Sequence, residues 1–322
     1  MKLFITGGAG FIGSNFIHYI MEKEKDIQIC NYDKLTYAGN LSNLKGIDEK
    51  RYQFIKADIC DYKTLKESLM NFNPSAIIAF AAETHVDRSI TSPQEFLETN
   101  ILGTECVLRA TRDLKISRLL HISTDEVYGS LEIPYEAKET QAFDPNSPYS
   151  ASKAAGDMLC HAYHITYEVP VSIVRGSNCY GKLQYPEKFI PRSITNIING
   201  CPIGIYGNGN NMREWVYTED FCRGVEIVLH KGLRGEAYNL GGGSDNRYTN
   251  NVVANKICNL MGKYPDHFIT YIDDRRGHDK RYALDSTKLK NLGWKPKYNF
   301  SEGLSQTIQW YKDNPDWWKP LL

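Results

Sequence analysis

The 322-residue sequence carries no excess of either charge, since Lys+Arg and Asp+Glu are both 38. No global field therefore attracts nucleic acid, and an anionic ligand has to be met by local Arg and Lys groups. Long apolar runs are missing: none approaches the ~20 residues needed to cross a bilayer. No charged-then-apolar leader precedes the first strand-like run, Lys2–Thr6, which predicts a cytoplasmic protein without membrane contacts. Closely paired cysteines are missing as well. Cys30, Cys60, Cys106, Cys160, Cys179, Cys201, Cys222 and Cys258 are scattered through apolar segments, the pattern of reduced thiols and not of a disulfide framework. Neither C-x-x-C nor H-E-x-x-H occurs, and His161 and His164 have no further ligands nearby in sequence, so no metal is expected. Repeats and flexible linkers are absent too.

What is present is alternation. Strand-like runs at Lys2–Thr6, Ile27–Tyr32, Tyr52–Lys56, Ala76–Phe80, Arg118–Ser123 and Val171–Arg175 are separated by helical stretches at Phe11–Glu24, Tyr62–Asn73, Pro93–Leu114 and Tyr149–Tyr167. This predicts an α/β fold, a Rossmann-type doubly wound parallel sheet. Past Ser177 the pattern loosens into turns such as Gly207-Asn208-Gly209, with helical pieces at Pro191–Asn199, Asp220–His230, Asn251–Met261 and Ser301–Tyr311. The expected organisation is a dinucleotide domain over residues 1–177, with segments near 205–250 returning to it. A smaller α/β substrate lobe would occupy mainly 178–322.

Gly7, Gly10 and Gly13 follow the first strand and open the first helix. Glycines at this spacing permit a tight turn, approach of a pyrophosphate and close helix–strand packing, and the helix N-terminus offers free N–H groups to phosphates. Asp33 ends the second strand, where its carboxylate accepts from ribose hydroxyls and repels a 2′-phosphate, so NAD is expected over NADP. Asp58-Ile59, after the third strand, is placed to touch adenine, although capping the next helix accounts for Asp58 equally well.

Two further patterns carry chemistry. Tyr149 and Lys153 are four apart on a predicted helix and share a face. A nearby ammonium and a nicotinamide cation both favour the phenolate, which makes Tyr149 a general base for an alcohol. Thr124-Asp125-Glu126 lies just past the fifth strand and adds an acid and a base for elimination of water. That scheme requires environments that drive the two carboxyl pKa values apart.

With these residues in place, the chain resembles the extended short-chain dehydrogenase/reductase superfamily and, within it, the nucleotide-sugar 4,6-dehydratases. The likeness runs nearly end to end. It includes Thr6–Gly13, Asp33–Asn40, Ala81–Ser89, Thr124–Gly129, Tyr149–Lys153, Pro186–Lys188, Arg213–Trp215 and Gly277–Asp279. It implies tightly held NAD touched by Gly7, Gly10, Phe11, Ile12, Gly13, Asp33, Lys34, Thr36, Asp58, Ile59, Ala81, Ala82, Thr84, Thr99, Tyr149 and Lys153. It further implies that Tyr149 deprotonates the sugar 4-hydroxyl, Thr124 binds the 4-oxygen, Glu126 takes the C5 proton, and Asp125 protonates the departing 6-hydroxyl.

By the same resemblance, a nucleoside-diphosphate hexose would be held by Thr84, His85, Thr124, Asn178, Lys188, Phe189, Ile205, Tyr206, Arg213, Asn239, Arg275 and His278. The implied reaction converts dTDP-glucose to its 4-keto-6-deoxy product. Cys179, Lys182, Gly204 and Arg276 depart from the family pattern on the substrate side, which keeps UDP-GlcNAc and UDP-glucose open as alternatives. A sugar 4-epimerase would use Tyr149 and NAD but would not need Asp125-Glu126. The family likeness also implies a homodimer joined through helices Pro93–Leu114 and Tyr149–Tyr167.

Overall fold

A computed structural model describes all residues, 1–322. Its strands are β1 (Lys2–Thr6), β2 (Gln28–Asp33), β3 (Tyr52–Lys56), β4 (Ala76–Ala79), β5 (Leu119–Thr124), β6 (Val171–Gly176), β7 (Asn178–Tyr180), β8 (Ile203–Tyr206), β9 (Met212–Tyr217), β10 (Ala237–Leu240), β11 (Arg247–Thr249) and β12 (Ile269–Ile272). Seven form one sheet in the order β10-β6-β5-β4-β1-β2-β3. All of its pairings are parallel, so the Rossmann-type expectation holds. The strand order reverses between β1 and β4, and that switch point opens a crevice at the strands' C-terminal ends.

The sheet is two-sided. β1, β4, β5 and β6 are almost wholly buried, as strands covered on both faces should be. One face packs under α1 (Phe11–Lys23), with Phe16, Ile17 and Ile20 in the core. The other packs under α2 (Tyr62–Phe72), which ends at Asn73 in the left-handed conformation directly before Pro74. The short helix α3 (Val86–Thr91) was not anticipated; His85 caps it by accepting from the Arg88 N–H at 3.2 Å.

The helix expected over Pro93–Leu114 is broken. It comprises α4 (Gln94–Leu97), a π-helical turn at Glu98–Gly103, and α5 (Thr104–Asp113). Asn100 explains the turn. Its side chain accepts from the Glu83 N–H at 2.9 Å and donates to the Glu83 carbonyl at 3.0 Å and to Ser152 Oγ at 2.9 Å. These distant partners outweigh one regular helical turn, a recurrent reason for π-bulges near functional sites.

The helix α6 (Pro148–Tyr167) begins in a capping box built from Ser147 and Ser150, with Pro148 in the first turn. It is fixed to the sheet by a buried ion pair, Arg175 Nε to Asp157 Oδ2 at 2.7 Å. The remaining segments add α7 (Phe189–Ile198), α8 (Thr218–Lys231) and α9 (Asn250–Leu260). They also build a three-stranded sheet, β11-β9-β7, and a parallel pair, β12-β8. A separate core joins α7, α9 and the helix Phe300–Asp313, while β10 pairs with β6 and α8 packs beside α1. No helix is long and apolar enough to cross a membrane.

Candidate active site

Two adjoining cavities open at the switch point. The first, of about 230 Å³, is lined by every residue that the resemblance assigned to NAD, from Gly7 and Gly13 through Asp33, Asp58 and Thr99 to Tyr149 and Lys153. Its floor is shaped for a pyrophosphate. Gly7 has φ +72°, and a Cβ there would sit 2.5 Å from the Ala81 nitrogen; a Cβ on Gly13 would sit 2.4 Å from the Gly7 carbonyl. α1 starts without a side-chain cap, leaving its first-turn N–H groups to a ligand. Asp33 is locked in place, its oxygens accepting from the N–H groups of Ala9 at 2.9 Å and Leu35 at 2.8 Å. Asp58 does not cap α2, a task that falls to Asp61; it pairs instead with Lys34 at 2.7 Å. The residues present therefore fit a dinucleotide.

The second cavity, of about 400 Å³, lies between the sheet and the loosely patterned segments. Thr84, His85, Glu126, Asn178, Lys188, Phe189, Tyr206, Arg213, Arg275 and His278 all line it. Three expected residues do not. Thr124, at the buried end of β5, lines neither cavity. Ile205 is 1% exposed because alternation along β8 turns it into the apolar core. Asn239 is fully buried. It donates to the carbonyls of Ala137 (2.8 Å) and Asp285 (3.3 Å) and accepts from the Tyr128 hydroxyl (2.9 Å), so none of its polar atoms is free for a ligand.

Tyr149 and Lys153 line the first cavity and Glu126 the second, while Thr124 and Asp125 are buried and line neither. β5 delivers Thr124, whose Oγ accepts from the Glu126 N–H and donates to Asp125 Oδ1, both at 3.3 Å. Tyr149 stands over Phe96 in an edge-to-face contact with ring centroids 6.3 Å apart. Burial, then the charges of Glu126 and Asp125, push its phenol above the usual range; a hydrogen bond with Thr124 opposes them. The Lys153 ammonium was expected to act on that phenol. It instead donates to the Ile122 carbonyl at 2.8 Å, and burial holds its pKa below the ordinary value while Asp157 raises it.

The two carboxyls differ in company. Burial pushes Asp125 well above the carboxylate range, and Glu126 and Glu214 add to the effect; Arg213 only partly offsets it. Its Oδ2 is buried without a partner, a poor setting for a charge and a good one for a neutral acid. Burial raises Glu126 too, but Arg275, Arg213 and Lys188 pull the other way. Of the two, Asp125 is the more strongly favoured to carry a proton, and Glu126 is the one with basic groups opposing protonation.

Further residues contribute that spacing did not reveal. Tyr282 stands 3.4 Å from Glu126 Oε2 and donates to Asp279 Oδ2 at 2.7 Å. Gln184, Tyr185 and Glu187 wall the cofactor cavity. They lie on the one loop between β7 and α7, which has no periodic signature, and only the resemblance over Pro186–Lys188 pointed to it.

Fold and site together define an extended short-chain dehydrogenase/reductase, with a dinucleotide cradle, a Tyr-x-x-x-Lys pair, and Glu126 facing a second cleft next to a buried Asp125. The family model described as GDP-mannose 4,6 dehydratase matches residues 4–307. A probable dTDP-glucose 4,6-dehydratase of Sinorhizobium fredii is 44% identical over 338 residues, covering 100% of this chain and 95% of the relative. The crystal structure of dTDP-glucose 4,6-dehydratase from Bacillus anthracis in complex with NAD superposes with a TM-score of 0.93 at 44% identity. It covers 100% of both chains. The Streptomyces venezuelae dTDP-glucose 4,6-dehydratase, crystallised with NAD and a further ligand, superposes with a TM-score of 0.96 at 42% identity, again over 100% of both chains. The chain belongs to this nucleotide-sugar 4,6-dehydratase family.

Proposed function

We propose that the protein is an NAD-dependent hydro-lyase converting dTDP-glucose to dTDP-4-keto-6-deoxyglucose. The observation that carries this reading is the Asp125–Glu126 couple, two adjacent carboxyls both raised by burial, of which Asp125 is raised well above its usual value and Glu126 has Arg275, Arg213 and Lys188 opposing the rise. The full-length relatives named above supply the sugar nucleotide. Bound NAD supplies a reversible hydride acceptor, oxidising C4 and reducing C6 within one turnover. The chain's residues move the protons and hold the ring.

Tyr149, whose phenolate the nicotinamide cation of bound NAD would favour, takes the 4-hydroxyl proton, and Thr124 holds the 4-oxygen. Once C4 is a ketone the neighbouring C5–H is acidic, and Glu126 removes it. Asp125 protonates the departing 6-hydroxyl, so hydroxide never has to leave as such. Lys153 holds the nicotinamide ribose. Arg213, Arg275, Lys188 and His278 meet the diphosphate and sugar through charge-assisted hydrogen bonds. In this reading residues 1–177, with β10 and α8, form the cofactor half, and most of 178–322 forms the sugar half.

The protein acts as a cytoplasmic homodimer. Supporting the first point, all eight cysteines are free thiols. Supporting the second, α6 presents Ala151, Ala155, Met158, Ala162 and Ile165 at least partly to solvent, spaced alternately by four and three residues. That is the seam of one helix packed against another. Met158 is 64% and Ile165 67% exposed, and a second copy of α6 would cover them.

Incubation with dTDP-glucose, UDP-glucose and UDP-GlcNAc, followed by mass spectrometry, tests the reaction and the base together. Loss of one water from dTDP-glucose, in preference to the UDP-sugars, is expected. An unchanged mass with inverted sugar stereochemistry would make the protein an epimerase.

A further inference from the structure

The two cavities share one wall. Gln184, Glu187 and Lys188, together with Thr84, line both. This short segment is the partition between the cofactor and the sugar, and its attachments are asymmetric. At its C-terminal end Glu187 Oε1 accepts from the Tyr37 hydroxyl at 2.8 Å, and Glu187 Oε2 stands 3.5 Å from His85 Nε2. Lys188 Nζ donates to the Thr84 carbonyl at 2.7 Å. Tyr37 is itself clamped, with Tyr185 packed edge-on against its ring at 5.4 Å between centroids and the Arg88 guanidinium 4.2 Å over it. Tyr37, Thr84, His85 and Arg88 all precede residue 178. At its N-terminal end the segment is rooted in the other half, where the Gln184 side chain donates to the Cys179 carbonyl and the Gln184 carbonyl accepts from Tyr311.

We propose that the Tyr37–Glu187 hydrogen bond is a latch that fastens this partition to the cofactor half, so that sugars exchange while the dinucleotide stays. The inference rests on the reading above, in which the hydride taken from C4 goes back to the same sugar. A cofactor lost after the first step would strand the sugar as a ketone, so the cofactor must outlast every sugar that enters. A partition hinged at Gln184 and latched through Glu187 opens the sugar cleft without uncovering NAD. Tyr37 is a positioning residue here, acting through Glu187. Its neighbours Thr36 and Ala38 line the cofactor cavity, so release of the latch also loosens the loop that follows Asp33.

The Y37F variant removes only the hydroxyl. Wild type and Y37F, both loaded with NAD, are dialysed against cofactor-free buffer, and the NAD remaining is released by denaturation and quantified over time. Loss of a hydrogen bond to a carboxylate should speed NAD release about tenfold or more. Amide hydrogen exchange at residues 183–188 of the loaded protein should rise in Y37F. E187Q, which keeps the shape and drops the charge, should accelerate release in the same direction. Equal release from wild type and Y37F, with equal exchange in the partition, overturns the latch alone. A wild type that keeps none of the added NAD overturns both the latch and the retained cofactor.

Discussion

The Tyr282 hydroxyl lies 3.4 Å from Oε2 of Glu126 while donating at 2.7 Å to Oδ2 of Asp279. A phenol has one proton to give. The shorter bond claims it, so the Tyr282 oxygen faces Glu126 as an acceptor, best matched when Glu126 carries the proton taken from C5. Y282F should therefore slow water loss about tenfold, the worth of one hydrogen bond, while C4 oxidation, followed by nicotinamide absorbance in a single turnover, stays near wild type. Equal slowing of both steps would instead assign Tyr282 to packing beneath Arg213, whose guanidinium lies 4.3 Å over its ring.

Gly7 gives a test of the cradle. Its φ of +72° and the 2.5 Å approach of a built Cβ to the Ala81 nitrogen leave no room for a side chain, and the obstacle is backbone, which cannot swing aside. G7A should cost about 2 kcal/mol of stability or more and abolish NAD binding, measured by thermal melts with and without NAD. A variant that still gains thermal stability from NAD would refute the tight-turn account.

Legibility of the sequence followed the range of the interactions. β1 and β3 begin and end where apolar runs meet local turn signals, so the sequence located them directly. The cofactor residues could be read because glycines, strand and helix are contiguous around Gly7–Gly13. Ile205 and Asn239 could not: in a strand, neighbouring residues face opposite sides, and nothing local tells which side holds the ligand. The π turn at Glu98–Gly103 depends on Asn100 meeting Glu83 and Ser152, the latter 52 residues on. Tyr37 finds Glu187 across 150 residues and Tyr282 finds Glu126 across 156. Such pairs are set by the fold and leave no spacing to read.

The exposed stripe on α6 puts the proposed homodimer to a test. Replacing both Met158 and Ile165 with Glu puts like charges at the centre of a helix–helix seam. Sedimentation velocity should show a dimer for wild type and a monomer for the double variant. An unchanged sedimentation coefficient would move the interface to another face.

Asp125 allows activity and stability to be tested in a single variant. Its carboxyl is held well above its ordinary value, chiefly by burial, so the folded protein keeps a proton that the unfolded chain gives up near pH 4. Folding stability from this group is then complete below that pH and is lost as pH rises towards the folded-state value. Asparagine does not titrate. D125N should melt close to wild type near pH 4 and above it at neutral pH, the gap widening between. The same variant cannot protonate the departing 6-hydroxyl, so water loss should fall by about 10²–10⁴-fold, while C4 oxidation persists and reduced nicotinamide accumulates. A melting difference that is flat with pH, or of opposite sign, would mean that Asp125 is ionised in the folded protein, and the elimination would have to draw its proton from another group.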